Sequence, residues 1–281
     1  MTPITLDSNL SKKLDQGMRF GDSAELPFPA VFIWALNGQV SYKSQGGALY
    51  YGGWACKSND LQIAADQHSL ALPLNWQQVT ISSRDGGEFP AHTTRSIVIA
   101  PIGKRLSWLH EGKRFAAYLE GGRRHLQVLV YLADVRIGDA GKEIFPWGAA
   151  VLTAKGYQAR NLLDAFTKWE RATAQARRKV AAGVPAWCFY MSIGTFGKDR
   201  HAVNVGKPGA QSPITPISAF IPDQITEEMI ENLFVGNETA AKMVDLQDQA
   251  AEWLKAWQEP SPADSPEDLD LGLSQDDDIP I

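Results

Sequence analysis

Long apolar runs are missing from this 281-residue sequence. No stretch of about 18 or more consecutive residues is apolar, so no transmembrane helix is predicted. The opening segment, MTPITLDSNLSKKLDQGMRF, has no basic part followed by an apolar part, and we therefore expect no secretory signal. The hydrophobic content of 44% is typical of a soluble globular protein with an ample core.

Cysteine is scarce as well. The chain has only Cys56 and Cys188, and neither belongs to a Cys-x-x-Cys pair. The five histidines are scattered, and none is paired with a cysteine at a spacing suited to a metal. This pattern predicts two buried thiols in a reduced cytoplasmic protein rather than a disulfide framework or a zinc site. We expect no metal and no cofactor.

Most enzyme signatures are also missing: G-x-G-x-x-G before a helix, a phosphate loop, G-x-S-x-G and H-E-x-x-H. The segment most similar to a catalytic motif is Glu111-Gly112-Lys113, an E-x-K triplet of the kind that metal-dependent nucleases use. In such a site the carboxylate holds a divalent ion and the lysine polarises the attacking water. Such a site needs a second acid, for which Asp85 is the candidate. A charged hairpin turn is the favoured interpretation, so we predict no catalytic residues. A nuclease or another DNA-processing enzyme that uses Glu111 and Lys113 remains the alternative.

Basic residues are missing from the end of the chain. The segment 259–281 has eight acidic residues and no basic one, whereas the rest has 27 basic and 24 acidic residues, a charge of +3. Between Arg95 and Lys179, sixteen basic residues face seven acidic ones. A basic body joined to an acidic end indicates a polyanionic partner such as nucleic acid. A well-solvated surface with a solubility tail is the simpler alternative.

Short apolar segments separated by glycines and turn residues recur in the first half of the chain, a pattern typical of β-strands. The segment 28–38 is predicted to be a buried strand. In the segment 125–135, Leu126, Val128, Val130 and Leu132 alternate with other residues and predict a strand with one apolar face.

Helical periodicity starts at Gln158, where apolar residues recur every three, four or seven positions. Thr226 is the predicted N-cap of a later helix. An apolar stripe then continues from Met243 to Trp257, and we favour its packing within the chain over pairing with a second chain. The predicted fold is α+β and mainly β, with an OB-like barrel. The chain is predicted to begin with an arm at 1–26, followed by a β-rich nucleic-acid-binding domain at 27–224 with an inserted helix at 158–181. Helices at 225–258 and a disordered acidic tail at 259–281 complete it.

Aromatic residues with basic or glycine neighbours are the candidates for binding nucleic acid, because flat rings stack on bases and cations pair with phosphates. The alternative is that the rings fill a β-core, and that Arg123 and Arg124 form a solvent-facing turn. The predicted contact residues are Tyr42, Lys43, Tyr51, Trp54, Lys57, Arg95, Arg105, Trp108, Arg114, Arg123 and Arg124.

The chain ends in DDDIPI. This tip resembles the acidic tip of bacterial single-stranded-DNA-binding proteins, in which aspartates precede Ile-Pro-Phe. The residues that match are Asp276, Asp277, Asp278, Ile279 and Pro280, whereas Ile281 stands in place of the phenylalanine. With its basic body and acidic tail, the chain is also similar in layout to bacteriophage single-stranded-DNA-binding proteins.

The resemblance implies non-catalytic binding and protection of single-stranded DNA in a bacterial or virus-infected bacterial cell. It also implies that Asp276–Ile281 recruits replication and recombination proteins, with the apolar tip entering a pocket that has a basic rim. We further expect the acidic tail to compete with DNA for the basic groove, because tethering gives it an effective concentration in the mM range. A third interpretation is an interaction protein whose body binds another protein rather than nucleic acid.

Overall fold

The computed structural model describes residues 26–36, 52–67, 75–82, 88–138, 141–195, 203–206 and 211–257. These residues form twelve strands: β1 Val31–Leu36, β2 Gly53–Lys57, β3 Gln77–Ser82, β4 Glu88–Thr94, β5 Ser96–His110, β6 Lys113–Phe115, β7 Arg123–Gly138, β8 Gly141–Lys155, β9 Met191–Gly194, β10 Val203–Val205, β11 Ser212–Ile214 and β12 Ser218–Ala219. They also form five α-helices: α1 Ser58–Gln67, α2 Gly156–Val180, α3 Glu227–Leu233, α4 Asn237–Gln249 and α5 Ala251–Lys255.

One ten-stranded sheet organises the molecule. Nine of its strands follow the order β12-β9-β5-β7-β8-β1-β2-β4-β3, with β6 paired to β5, while β10 and β11 form a separate pair. The β1–β8 pairing is parallel, and the other pairings are antiparallel. The long strands β5, β7 and β8 form its centre, and a register shift between Pro101 and Gly103 interrupts the β5–β7 ladder.

The sheet curls into a half-barrel. The indole Nε1 of Trp54, on β2, donates a hydrogen bond to the Ile193 carbonyl on β9, 3.1 Å away. The Asn75 amide, just before β3, likewise donates to the Ser96 carbonyl at the start of β5, at 3.0 Å. These contacts join strands that are distant in the sheet order, because the surface bends on itself. The prediction of a mainly β, α+β, barrel-like fold is therefore confirmed.

Helix α2 packs on one side of the central strands, against β7 and β8. Its buried residues include Leu162, Trp169 and Ala176, which lie on one face at helical spacing. Near its start the side chain of Gln158 donates to the Thr215 carbonyl at 2.9 Å and accepts from the Ile217 amide at 3.2 Å. The predicted helix over 158–181 thus corresponds to Gly156–Val180.

Of the C-terminal helices, α4 and α5 pack against β5, whereas α3 packs against α2. Thr226 caps α3 as predicted, because its hydroxyl accepts a hydrogen bond from the Met229 amide at 3.1 Å. Met243, Trp253 and Trp257 of the apolar stripe are buried against the same chain. The favoured interpretation of the stripe, packing within the chain, therefore agrees with the structure.

Helix α1 was not predicted, since the sequence before it was interpreted only as glycine-rich strands. Leu61, Ala64 and Ala65 form its buried face.

No described helix is both long and apolar enough to cross a membrane. Cys56 and Cys188 are buried free thiols, as expected. The predicted arm and acidic tail lie outside the described residues, apart from Leu26 in the arm.

Candidate nucleic-acid interface

The end of the β5–β6–β7 ladder gathers several of the predicted contact residues. Trp108 on β5 stands opposite both Phe115 and Arg124, and the next residue, Leu109, stands opposite Arg114 and Arg123. Residues that are directly opposite in an antiparallel pair project from the same side of the sheet, and successive residues project from opposite sides. The end of the ladder therefore has two distinct sides.

We call the first side the aromatic face, and define it as Trp108, Phe115, Tyr118 and Arg124. The Arg124 guanidinium lies 5.0 Å from the centre of a Trp108 ring. The Tyr118 ring meets Trp108 edge-on, with centroids 4.8 Å apart and planes at 89°. Tyr118 is 59% exposed, while Trp108 and Arg124 are half-buried. An exposed ring beside a cation is the combination that stacks on a base and pairs with a phosphate.

A tight turn positions the aromatic face. The Gly122 amide donates to the Leu119 carbonyl at 2.9 Å, which returns the chain to β7 just before Arg124. A Cβ at Gly122 would lie 2.9 Å from the Leu119 carbonyl oxygen and 3.6 Å from the Trp108 Cβ. Glycine is therefore required by the close approach to the Leu119 carbonyl within the turn, while the distance to Trp108 is an ordinary contact.

Tyr118 was missed by the sequence analysis. It lies in FAAYLEGG, where neither of its direct neighbours is a glycine or a basic residue; Gly121 is three residues after it and Arg114 four residues before it. A usable signal exists, because Tyr118 belongs to the short segment between the basic ends of β6 and β7. A ring in such a connection is brought beside the cations of both strands.

We call the second side the arginine face, and define it as Arg105, Arg114, Arg123 and His125. Arg105 is buried between two indoles, 3.8 Å from a Trp253 ring centre and 4.3 Å from a Trp257 ring centre. Its Nε and Nη2 donate to Gln127 Oε1 at 2.8 and 2.6 Å, and its Nη1 donates to the Trp253 carbonyl at 3.1 Å. The guanidinium is thus held on every side by the protein.

Arg114 and His125 share the same indole. Arg114 is buried with its guanidinium 4.1 Å from a Trp257 ring centre, and the His125 ring centroid lies 4.5 Å from that of Trp257. Burial lowers the pKa of His125 well below its usual range, and the charges of Lys155 and of Arg114, Arg105 and Arg123 lower it further. His125 is therefore neutral at physiological pH.

Three predicted contact residues are buried and offer no open surface to nucleic acid in this structure. Trp54 is fully buried, and its Nε1 hydrogen bond to Ile193 holds it inside the half-barrel, so neither ring face is open to a base. Arg105 and Arg114 are closed off by the indoles of Trp253 and Trp257. Sequence neighbours suggested exposure, but residues from the far end of the chain cover both arginines.

The remaining predicted residues are spread over the molecule. Lys57 and Arg95 are half-buried, and Arg95 lies about 40 Å along β5 from Trp108 at 3.3 Å per residue. Arg123 and Arg124 are half-buried on β7 itself rather than in a solvent-facing turn. Outside the described residues lie Tyr42, Lys43, Tyr51 and the six tip residues Asp276, Asp277, Asp278, Ile279, Pro280 and Ile281.

Glu111 and Gly112 form the β5–β6 hairpin turn, and Lys113 is the first residue of β6. Glu111 and Gly112 both have positive φ, 49° and 74°, and the Glu111 side chain is 84% exposed beside His110 at 3.9 Å. Asp85 lies outside the described residues, and within the described part no three His, Cys, Asp or Glu side chains are grouped to hold a metal. The triplet is thus the charged hairpin turn that the sequence analysis favoured.

Comparison with known proteins gives no assignment. No protein-family model, curated protein or solved structure matches this chain.

Proposed function

We propose that this protein binds single-stranded DNA without cleaving it, through an OB-type barrel that carries the aromatic face. The observation that supports this most is the cluster of Trp108, Tyr118 and Arg124 at the end of the long central strands. Tyr118 offers an exposed ring, and Arg124 holds a positive charge beside it. A duplex keeps its bases stacked inside, so this surface favours single strands.

The acidic tip is the second part of the proposal. Asp276, Asp277 and Asp278 precede an apolar Ile-Pro-Ile end. Such a peptide suits a pocket with a basic rim on a replication or recombination protein. In the absence of DNA, the tail's eight acidic residues compete for the basic body, and the competition weakens as salt screens the charges.

The test is a titration of fluorescently labelled oligo-dT, with a duplex of equal length as the control. Full-length protein and a chain stopping at Gln258 are compared at low and moderate salt. We expect tight, salt-sensitive binding of the single strand, and tighter binding after truncation at low salt. Absence of binding by both chains would overturn the proposal. Cleavage of the label with Mg²⁺ or Mn²⁺, lost in Glu111→Ala, would favour the nuclease instead.

Tyr118→Ala tests the surface itself. Losing one stacked base costs about 1–3 kcal/mol, so affinity should fall by about 5- to 150-fold. The matched control is Phe220→Ala, because Phe220 is an aromatic residue of similar exposure (53%) just after β12. Equal affinities of the two variants for oligo-dT would show that the aromatic face is not the contact surface.

A further inference from the structure

The covering of the arginine face is the feature that the proposed function leaves unexplained. Trp253 and Trp257, in α5 and directly after it, lie over Arg105 and Arg114 with ring-to-guanidinium distances of 3.8–4.3 Å. Both indoles are buried, at 2% exposure. Flat aromatic rings stacked on guanidinium groups reproduce the way in which nucleic-acid bases stack on arginine.

Polar atoms under this cover are poorly satisfied. Both ring nitrogens of His125, the hydroxyl of Ser107 and the Nε1 of Trp257 are buried without a hydrogen-bond partner among the described residues. His125 and Ser107 stand directly opposite one another on β7 and β5. Buried polar groups in a permanent core are nearly always paired, because each unpaired one costs about 1–3 kcal/mol. These four atoms would therefore gain partners from a polar ligand that entered beneath the cover.

A short helix carries the cover. Helix α5 has five residues and is the last helix of the described chain. The hydrogen bond from Arg105 to the Trp253 carbonyl joins it to β5, and Leu254 packs over Gly103. A five-residue helix on the surface of the sheet opens at a lower cost than a strand at the centre of the sheet.

We infer that Trp253 and Trp257 form a displaceable cover over a second single-strand site on the arginine face. Bases replace the two indoles on Arg105 and Arg114, and oxygen atoms of the strand accept hydrogen bonds from Ser107 and from the His125 ring. The inference rests on the proposed function, and adds that the protein has a closed and an open state. The apparent affinity of this site is its intrinsic affinity multiplied by the fraction of molecules in which the cover is open.

A disulfide between α5 and β5 tests the cover. A Cβ at Gly103 would lie 2.9 Å from both Leu254 methyl carbons and 3.5 Å from its Cγ, so Gly103→Cys with Leu254→Cys brings two sulfurs together. Gly103 is not among the glycines with positive φ, so cysteine fits the backbone. The natural thiols are buried and burial raises the pKa of both, which makes them slow to exchange.

The full-length double variant is titrated with labelled oligo-dT, oxidised and after reduction, with Leu254→Cys alone as the control. We expect the oxidised double variant to bind about tenfold or more weakly than the reduced one, and the control to be insensitive to reductant. Equal binding of the two forms would overturn the cover and leave the proposed function standing. If the control also fails to bind, the proposed function itself fails, and the cover with it.

Trp257→Ala is an independent test that needs no cross-link. Removing one indole opens the face above Arg114, so oligo-dT should bind more tightly, whereas Tyr118→Ala weakens binding. Unchanged or weaker binding by Trp257→Ala would contradict the cover, because Trp257 would then be a structural residue or a direct contact.

Discussion

Acid should destabilise this protein through His125. The ring is fully buried, and burial together with Lys155, Arg114, Arg105 and Arg123 lowers its pKa well below the usual range. In the unfolded chain the same histidine has a pKa of about 6.5. Below that pH the unfolded state binds a proton that the folded state does not. The neutral His125 ring therefore makes its full contribution to the free energy of unfolding above pH 6.5. This contribution is lost as the pH falls through 6.5 towards the folded pKa.

The magnitude follows from this difference. One proton gives a slope of about 1.4 kcal/mol per pH unit in the free energy of unfolding. Between pH 8 and pH 5, protonation of the unfolded histidine thus removes up to about 2 kcal/mol, the limit reached when the folded ring stays neutral. This is a large share of the 5–15 kcal/mol that is typical of a folded domain.

His125→Phe is the informative variant. Phenylalanine keeps a flat ring against Trp257, and no hydrogen bond among the described residues is lost because neither ring nitrogen has a partner there. Urea unfolding followed by tryptophan fluorescence would be measured from pH 8 to pH 5. The stability of the natural protein should fall by about 2 kcal/mol more than that of the variant. His92, whose pKa burial also lowers, titrates in both proteins and cancels.

Parallel loss of stability in the two proteins would refute the reasoning. It would mean that His125 reaches solvent or a hydrogen-bond acceptor in the folded state, and is protonated as easily there as in the unfolded chain. The arginine face would then be open rather than covered.

Two further predictions concern single side chains. Gln158→Leu should destabilise the fold by about 3 kcal/mol in urea unfolding, since the Thr215 carbonyl and Ile217 amide lose their buried partner; Thr167→Val, on the exposed side of α2, should be within about 0.5 kcal/mol of the natural protein. Glu111→Asn should stabilise the fold by about 0.5–1 kcal/mol, because asparagine tolerates the positive φ better; a loss of stability would show that the hairpin turn has a different geometry.

Several elements were predictable because their signals are local. Apolar residues three and four positions apart predict the helix at Gly156–Val180. Thr226 is predictable as the N-cap because its hydroxyl accepts a hydrogen bond from the amide only three residues later, that of Met229. The strand predicted over 125–135 from its alternating apolar residues lies within Arg123–Gly138. Helix α1 was missed, because its short buried face adjoins a glycine-rich segment whose pattern indicates strands.

In the candidate site, too, some features depend on local sequence and others on distant segments. Trp108 and Arg124 were predicted from their neighbours, and the ladder places them together. Whether a ring or cation is exposed depends on segments that are distant in sequence. Trp54 bonds to a carbonyl 139 residues away, and Arg105 to one 148 residues away.

By itself, the sequence determined the partition of charge, the acidic tip and the periodicity of its longest helix and strands, because each depends on residues that are close along the chain. Only the tertiary structure decided that Arg105 and Arg114 lie beneath Trp253 and Trp257, whereas Tyr118 stays exposed. The physical reason is that burial is a property of packing. Side chains of one composition become core or surface according to which remote segment covers them.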